Sequence, residues 1–170
     1  MLEVFKVPVE QLTPEAFEPF GQVISTFDEA RPPLRVGTLQ VREYTVTAAV
    51  ADPAKPTLAE GRQRGHFACH DDAGQSFYPS RHSPSIFFVA PVQKTLEPED
   101  MRAFYSDGSL GICMGLEVWH TMPICLKGTE VFFTARGDQD YHAHSIDVHF
   151  DQDRNLTLEP DMQNFPGWTE

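Results

Sequence analysis

Positive charge is scarce in this sequence. It contains 13 Lys and Arg against 25 Asp and Glu, which gives a formal net charge of -12 and a pI near 4.9. Such a surface repels the phosphates of nucleic acids and of anionic membranes, so we expect neither as a partner. A negatively charged small molecule needs a few well-placed cations instead. Arginine suits carboxylates, and the chain has nine arginines against four lysines.

Long apolar runs and cysteines are scarce as well. No stretch approaches the ~18 apolar residues that a membrane-spanning helix needs. Residues 1–9 carry an early acid and lack the apolar core of a signal peptide, so we expect a cytoplasmic protein without a membrane segment. The three cysteines are an odd number and have no Cys-x-x-Cys spacing, so we expect neither a disulfide framework nor a zinc knuckle.

The pattern of short apolar runs predicts an all-β fold with minor helix, in one domain spanning residues 1–170. Runs rich in β-branched and aromatic residues recur about every ten residues, which is typical of a sandwich or barrel. Thr13, followed by Pro14, predicts the start of a short helix. Strands are predicted at 22–25, 38–50, 65–70, 86–91, 101–105, 131–135 and 145–150, with a loop over 51–64 and a closing extension over 156–170.

Candidate chemistry concentrates in residues 101–136. A turn there leads into an apolar run, which Glu117, Trp119 and His120 follow closely. An imidazole beside an apolar wall has its charged form disfavoured and can act as a general base near neutral pH. If the segment is a strand, Glu117 and His120 face opposite sides and only one enters a pocket, whereas a bend would admit both.

Seven histidines give a second set of candidates. On a strand, His142 and His144 would share one face and His149 would point the other way. This is a weak metal-ligand pattern, because a polar strand face produces it as well. A divalent metal nevertheless stays open as an alternative, with three nitrogen or oxygen ligands and an open position for water. The candidate ligands are His66, His70, His120 and Glu117.

Four ordered blocks of the sequence resemble the ureidoglycolate lyase family. They are LTPEAFEPFGQVI at 12–24, Arg-His at 81–82 ahead of Pro91, RAF at 102–104 with Asp-Gly at 107–108, and Trp-His at 119–120 followed by Arg136. The resemblance implies a cupin-like β-barrel, or double-stranded β-helix, that is usually a homodimer. It also implies cleavage of ureidoglycolate to glyoxylate and urea.

The resemblance further implies acid–base elimination on a small carboxylic acid, without a required cofactor. The candidate proton-transfer residues are His120, Glu117 and His82. His120 would be the base, and either Glu117 or His82 would be the acid. The candidate substrate-binding residues, with an arginine holding the carboxylate, are Arg81, Arg102, Tyr44, Met114 and Trp119. The exposed edges of an open barrel also favour a homodimer.

The sequence departs from the family pattern at pocket positions. The family's Ser-Gln falls on Ile86 and Phe87, and its Tyr falls on Met114. A site that loses hydrogen-bonding partners binds a ureido group orders of magnitude more weakly. The replacements favour an alternative in which the same fold performs lyase, decarboxylase, isomerase or cyclase chemistry on a larger, less polar substrate. The other alternative is a barrel that binds a small molecule without catalysis. Convergence of Glu117, His120 and an arginine on one cavity would favour an enzyme over this alternative.

Overall fold

Short strands joined by turns make up most of the chain. A computed structural model describes residues 1–29, 31–48, 60–138 and 142–169. The helices found there are α1 (Pro14–Phe17) and α2 (Phe150–Asp153), with 3₁₀ turns at Phe27–Glu29, Glu60–Arg62, Pro98–Asp100 and Met162–Asn164. The strands are β1 (Glu3–Val7), β2 (Val9–Gln11), β3 (Gly21–Ile24), β4 (Leu39–Thr47), β5 (His66–His70), β6 (Gln75–Pro79), β7 (Ser85–Ala90), β8 (Arg102–Ser106), β9 (Gly111–Met114), β10 (Trp119–His120), β11 (Ile124–Cys125), β12 (Thr129–Gly137), β13 (Ser145–His149) and β14 (Leu156–Pro160).

The described strands form two large sheets and one small one. The first large sheet has the order β13-β5-β10-β7-β8-β2, with β11 paired to β7. The second has the order β3-β9-β6-β12-β4, and β12 pairs with β4 over nine residues in antiparallel register. The small sheet pairs β1 with β14 in parallel. The predicted all-β class with minor helix is confirmed.

The two large sheets enclose one hydrophobic core and carry a second one outside. Phe87 of the first sheet and Phe77, Ile112 and Phe132 of the second are buried together between the sheets. Alternate residues of the first sheet, such as Phe88, pack on its outer face under β1, β14 and the C-terminal segment. Because the first sheet is covered on both faces, its strands read as continuous apolar runs.

Phenylalanines fill one side of the space between the sheets, which we call the phenylalanine half. Helix α1 begins where Thr13 Oγ1 accepts a hydrogen bond from the Ala16 N–H at 3.1 Å, as its sequence predicts. The helix delivers Phe17, whose ring centroid lies 5.6 Å from that of Phe20 and 5.4 Å from that of Phe104. Tilted and edge-on contacts of this kind stabilise a core beyond the burial of area alone.

Most predicted strands are confirmed, with bounds shifted by one or two residues. The prediction for the late histidines is wrong, because β13 begins at Ser145 and leaves His142 and His144 in the preceding turn. Most of the predicted loop at 51–64 lies outside the described residues. The predicted closing extension contains β14, whose pairing with β1 joins the two ends of the chain. In the described part of the chain, no helix is long and apolar enough to span a membrane.

Candidate active site

A small cavity with a mixed polar and apolar lining lies between the two sheets, on the side that we call the cavity half. Its volume is about 90 Å³, which limits it to a small ligand. Eight described residues line it: Tyr44, His66, Ala68, Gln75, Phe77, His120, Thr121 and Met122. They come from β4, β5, β6, β10 and the segment after β10, so the site is assembled from distant parts of the sequence.

His120 is the more buried of the two imidazoles in the cavity wall, with 6% of its surface exposed. It ends β10, where it pairs with Ala68 of β5 and Val89 of β7. Its Nδ1 lies 2.9 Å from the backbone oxygen of Val118, and its Nε2 lies 2.9 Å from the side-chain oxygen of Gln75. Because a backbone carbonyl only accepts, Nδ1 carries the proton of the neutral ring and Nε2 keeps the lone pair.

Burial keeps His120 neutral at pH 7. Desolvation lowers its pKa to about 3, and the nearby His70 acts in the same direction. His70 is itself buried, with its ring centroid 5.0 Å from that of His120. Its pKa falls to about 4, because of burial and the charge of Arg136 acting against the carboxylates of Asp147 and Asp71. Two neutral imidazoles therefore lie side by side at this end of β5 and β10.

An amide on β6 supports the reactive nitrogen of His120. Gln75 is buried, and its Nε2 donates to Thr134 Oγ1 on β12 at 3.2 Å. A half-turn of the terminal torsion exchanges the oxygen and the NH₂ of this amide, so Gln75 can accept from His120 Nε2 or donate to it. The amide can therefore follow a change in the protonation of His120.

Two arginines supply positive charge on the β12–β4 side of the cavity half. Arg136 shares the inward face of β12 with Thr134 and lies opposite Gln40 in β4. Arg42 lies opposite Thr134 and donates to Gln40 Oε1 at 2.7 Å. Arg136 is near enough for its charge to lower the pKa of His70. Neither arginine is among the residues that line the cavity, but both lie on the same face of the β12–β4 pair as the lining residue Tyr44.

Two of the residues predicted for the site, His120 and Tyr44, line the cavity. Two others lie in the cores. Trp119 faces the outer side of the first sheet, where its Nε1 donates to the Gln93 backbone oxygen at 3.0 Å. Met114 is buried in the core between the sheets.

Glu117 does not meet His120 in the cavity. It is half-buried in the turn before β10, with a left-handed φ of 62°, and its N–H donates to the His70 backbone oxygen at 2.9 Å. Burial and the charge of Glu117 raise the pKa of Cys69, an outward-facing core residue, to about 11. Glu117 is not among the residues that line the cavity.

The predicted Arg81 and His82 lie together in the exposed turn between β6 and β7. His82 Nδ1 lies 3.0 Å from the Gly108 backbone oxygen. The backbone N–H of Arg81 donates to Glu130 Oε1 at 2.7 Å. Neither residue is among those that line the cavity.

The predicted Arg102 has a carboxylate partner within the protein. Its Nε and Nη2 donate to Glu10 at 2.9 and 2.6 Å, and its guanidinium lies over the ring of Phe104 at 5.0 Å. These contacts raise its pKa, with the Glu10 hydrogen bonds as the largest cause. Arg102 thus closes the edge of the phenylalanine half, and it is not among the residues that line the cavity.

The apolar replacements that favour a larger substrate also lie outside the cavity lining. Ile86 packs in the outer core, while Phe87 and Met114 pack between the sheets, each with 1% or less of its surface exposed. The lining itself is rich in imidazole, amide and hydroxyl groups. The structure therefore gives no support to a less polar substrate, because the replacements changed the core rather than the cavity wall.

The candidate metal ligands do not converge. No group of three or more His, Cys, Asp or Glu side chains in the described part of the chain could hold a metal ion. His66 and His120 line the cavity, whereas His70 and Glu117 are not among its lining residues. The geometry of the described residues therefore gives the metal alternative no support of its own.

The sequence alone did not predict Gln75 or Arg42 as site residues. Gln75 is separated from His120 by 45 positions, and the strand pairing that joins them is not legible in a local pattern. One signal was present in β12, where Thr134 and Arg136 place polar groups on the face that Phe132 buries. Such a break in an apolar alternation marks the point where a core becomes a cavity.

Curated proteins are similar to this chain over most of its length. The ureidoglycolate lyase from Pseudomonas savastanoi pv. phaseolicola is 28% identical over 165 residues, covering 91% of this chain and 96% of the relative. The ureidoglycolate lyase from Stutzerimonas stutzeri is 30% identical over 169 residues, covering 89% and 94%. That from Pseudomonas aeruginosa PAO1 is 27% identical over 162 residues, covering 89% and 95%. A family model described as ureidoglycolate lyase matches residues 4–157, and the chain therefore belongs to the ureidoglycolate lyase family.

Proposed function

We propose that this protein is a lyase that cleaves ureidoglycolate to glyoxylate and urea in the cavity half. The observation that carries the proposal is the buried, neutral His120, which lines a small cavity and whose Nε2 contacts Gln75. The relatives named above support the substrate. The family membership supports a small carboxylic acid as the substrate class.

The reaction needs proton transfer at two atoms that share one carbon. A base removes the hydroxyl proton, the C–N bond breaks, and the oxygen electrons form the carbonyl of glyoxylate. The electron pair of the broken bond stays on nitrogen, which takes up a proton and leaves as urea. Positioned side chains speed such transfers by about 10²–10⁴-fold each.

His120 is assigned the role of base. Its neutral ring is available at pH 7, because burial lowers its pKa to about 3. A base with so low a pKa is weak, but the carboxylate of a bound substrate would favour the imidazolium and raise the pKa. Gln75 then turns its amide oxygen toward the new N–H, so the charged ring gains a partner at the moment it forms.

Arg136 is assigned the role of holding the substrate carboxylate, with Arg42 beside it. Both lie on the inward face of the β12–β4 pair, next to the strand that carries Gln75. A guanidinium can bind both carboxylate oxygens at once, which would orient the hydroxyl relative to His120. Arg81 and Arg102 are less suited to this role, because Arg81 lies in the exposed turn between β6 and β7 and Arg102 already binds Glu10.

A homodimer is also proposed. Strands β4 and β13 are the outer strands of the two large sheets, and their side chains Val41 and Ile146 are 63% and 60% exposed. Sheet edges with exposed apolar residues commonly pair with another chain. The cytoplasmic location expected from the sequence stays a prediction. Light scattering of the purified protein measures the oligomeric state.

The test of the proposed reaction is the release of glyoxylate and urea from racemic ureidoglycolate. We expect turnover of one enantiomer above the uncatalysed rate, in equal amounts of the two products, and its loss in His120→Ala. Chelator treatment forms a second arm. Turnover that survives the chelator supports the roles assigned above, whereas its loss would assign a metal to the reaction. Folded wild-type protein without turnover would overturn the proposal.

A further inference from the structure

A second histidine, His66, lines the same cavity, and the proposed reaction has not yet given it a role. It begins β5, two residues before Ala68, which pairs with His120. The two histidines therefore lie diagonally on neighbouring strands and on one face, where Cβ atoms are typically ~7–8 Å apart. A small molecule in the cavity can lie between the two rings.

Strand β13 holds the ring of His66 in place. His66 Nε2 lies 2.6 Å from Asp147 Oδ1, and the ring of His149 stacks on it with centroids 4.3 Å apart and planes 4° apart. Ser145 Oγ donates to the other carboxylate oxygen of Asp147 at 3.2 Å. A carboxylate that accepts from Nε2–H leaves Nδ1 as the nitrogen of His66 that is free to exchange a proton with a ligand.

We propose that His66 is the general acid of the elimination and that Asp147 is its positioning residue. This inference rests on the proposed function. His66 Nδ1 gives its proton to the leaving nitrogen as the C–N bond breaks, while His120 Nε2 takes the hydroxyl proton. Release of urea and glyoxylate leaves His66 neutral and His120 charged, and exchange with water restores both, so no proton is consumed.

The surroundings of His66 suit this role. Asp147 lies beside the ring, and hydrogen bonds from His66 and Ser145 keep the pKa of Asp147 low against the opposing effect of its partial burial. The other titratable groups near the ring are His149 on β13, His120 on β10, Tyr44 on β4, and Asp151, which touches Gly65. An acid at the exposed end of the cavity can be reprotonated by solvent after each turnover.

The test compares His66→Gln, Asp147→Asn and His144→Gln in the ureidoglycolate assay over pH 5–9. His144 is the matched control, since it also pairs with an aspartate, Asp71, at 2.7 Å but lies outside the cavity lining. For His66→Gln we expect kcat to fall about 100-fold and the alkaline limb of the pH profile to disappear. In Asp147→Asn that limb should move to lower pH, and His144→Gln should match wild type.

Two outcomes would overturn the inference. If wild type turns over ureidoglycolate but His66→Gln keeps kcat within about threefold and an unchanged pH profile, His66 is not the acid and the proposed function stands. If folded wild type shows no turnover, the proposed function fails and this assignment fails with it. Should His66→Gln lose its fold, the pH shift in Asp147→Asn decides alone.

Discussion

The two sides of the space between the sheets differ in their side chains and in their packing. In the phenylalanine half, Phe17, Phe20 and Phe104 lie with ring centroids 5.4 to 5.8 Å apart. In the cavity half, His120 and Gln75 border an open volume of about 90 Å³. Apolar contact on one side supplies stability that a hydrated, polar site on the other side cannot supply. The same pair of sheets thus holds a core that stabilises the fold on one side and the candidate active site on the other.

The polar groups of the cavity half are tolerated because they satisfy one another. Thr134, Gln75 and His120 form a continuous chain that ends at the Val118 backbone oxygen. A buried polar group without a partner costs about 1–3 kcal/mol, so removing one member strands the next. Variants in the two halves should therefore fail in different ways.

The largest expected effect is on catalysis in the cavity half. His120→Asn should lower kcat by about 10²–10⁴-fold, because it removes the base. His82→Asn, which changes a histidine outside the cavity lining, should stay near wild type. Steady-state kinetics with ureidoglycolate measure both. A large loss of kcat in His82→Asn, together with near-wild-type kcat in His120→Asn, would contradict the assignment of His120 as the base.

The next effect belongs to the phenylalanine half. Phe104→Ala should lower the free energy of unfolding by about 3–5 kcal/mol, since it leaves a cavity among Phe17 and Phe20. Urea denaturation gives this value. Turnover per folded molecule should remain close to wild type, and a loss of kcat as large as that of His120→Asn would show that the two halves are not independent.

A smaller effect is expected on substrate binding. Arg136→Gln should raise KM by about 10–100-fold, as hydrogen bonds to a charged group are worth about 1.5–3 kcal/mol. Arg136→Lys should recover part of the loss, because lysine keeps the charge without the planar fork. Arg81→Gln, in the exposed turn between β6 and β7, is the matched control. Equal KM values for Arg136→Gln and wild type would place the carboxylate elsewhere.

The smallest effect concerns stability against pH. His70 and His120 have pKa values of about 4 and 3 in the folded protein, below the ~6.5 of an unfolded chain. The unfolded state therefore binds more protons below that pH, and the free energy of unfolding should fall as pH drops from 6.5 but stay level above it. Urea denaturation at pH 8 and 5 should show a shallower decline in His120→Asn. An equal decline would contradict the neutral, buried state.

Local patterns predicted much of the fold. The cap at Thr13 and the long strands β4 and β12 follow from residue types within a few positions of each other. The start of β13 at Ser145 agrees with the predicted strand, whereas the pairing of His142 and His144 on one face would have required a strand that begins earlier. Residues that a resemblance groups in sequence can also separate in space, as Trp119 and His120 do on the two faces of β10.

The site was less predictable, because its geometry depends on strand pairing. His120 and Tyr44 could be predicted from the resemblance, but the partner that faces His120, Gln75, comes from another sheet. Arg102 matches a family block, yet Glu10, 92 positions earlier, binds its guanidinium. Only the register of the sheets shows that Arg136 shares the inward face of β12 with Thr134.

The most direct test of the account is histidine NMR during titration with glyoxylate, the product that carries the carboxylate. The ring resonances of His120 are assigned by their absence from the spectrum of His120→Asn. We predict that His120 stays neutral, with its proton on Nδ1, from pH 5 to 8 in the free protein. Its ring nitrogens should shift on addition of glyoxylate, while those of His82 stay unchanged. A glyoxylate-dependent shift at His82 with no change at His120 would contradict the assignment of chemistry to the cavity half.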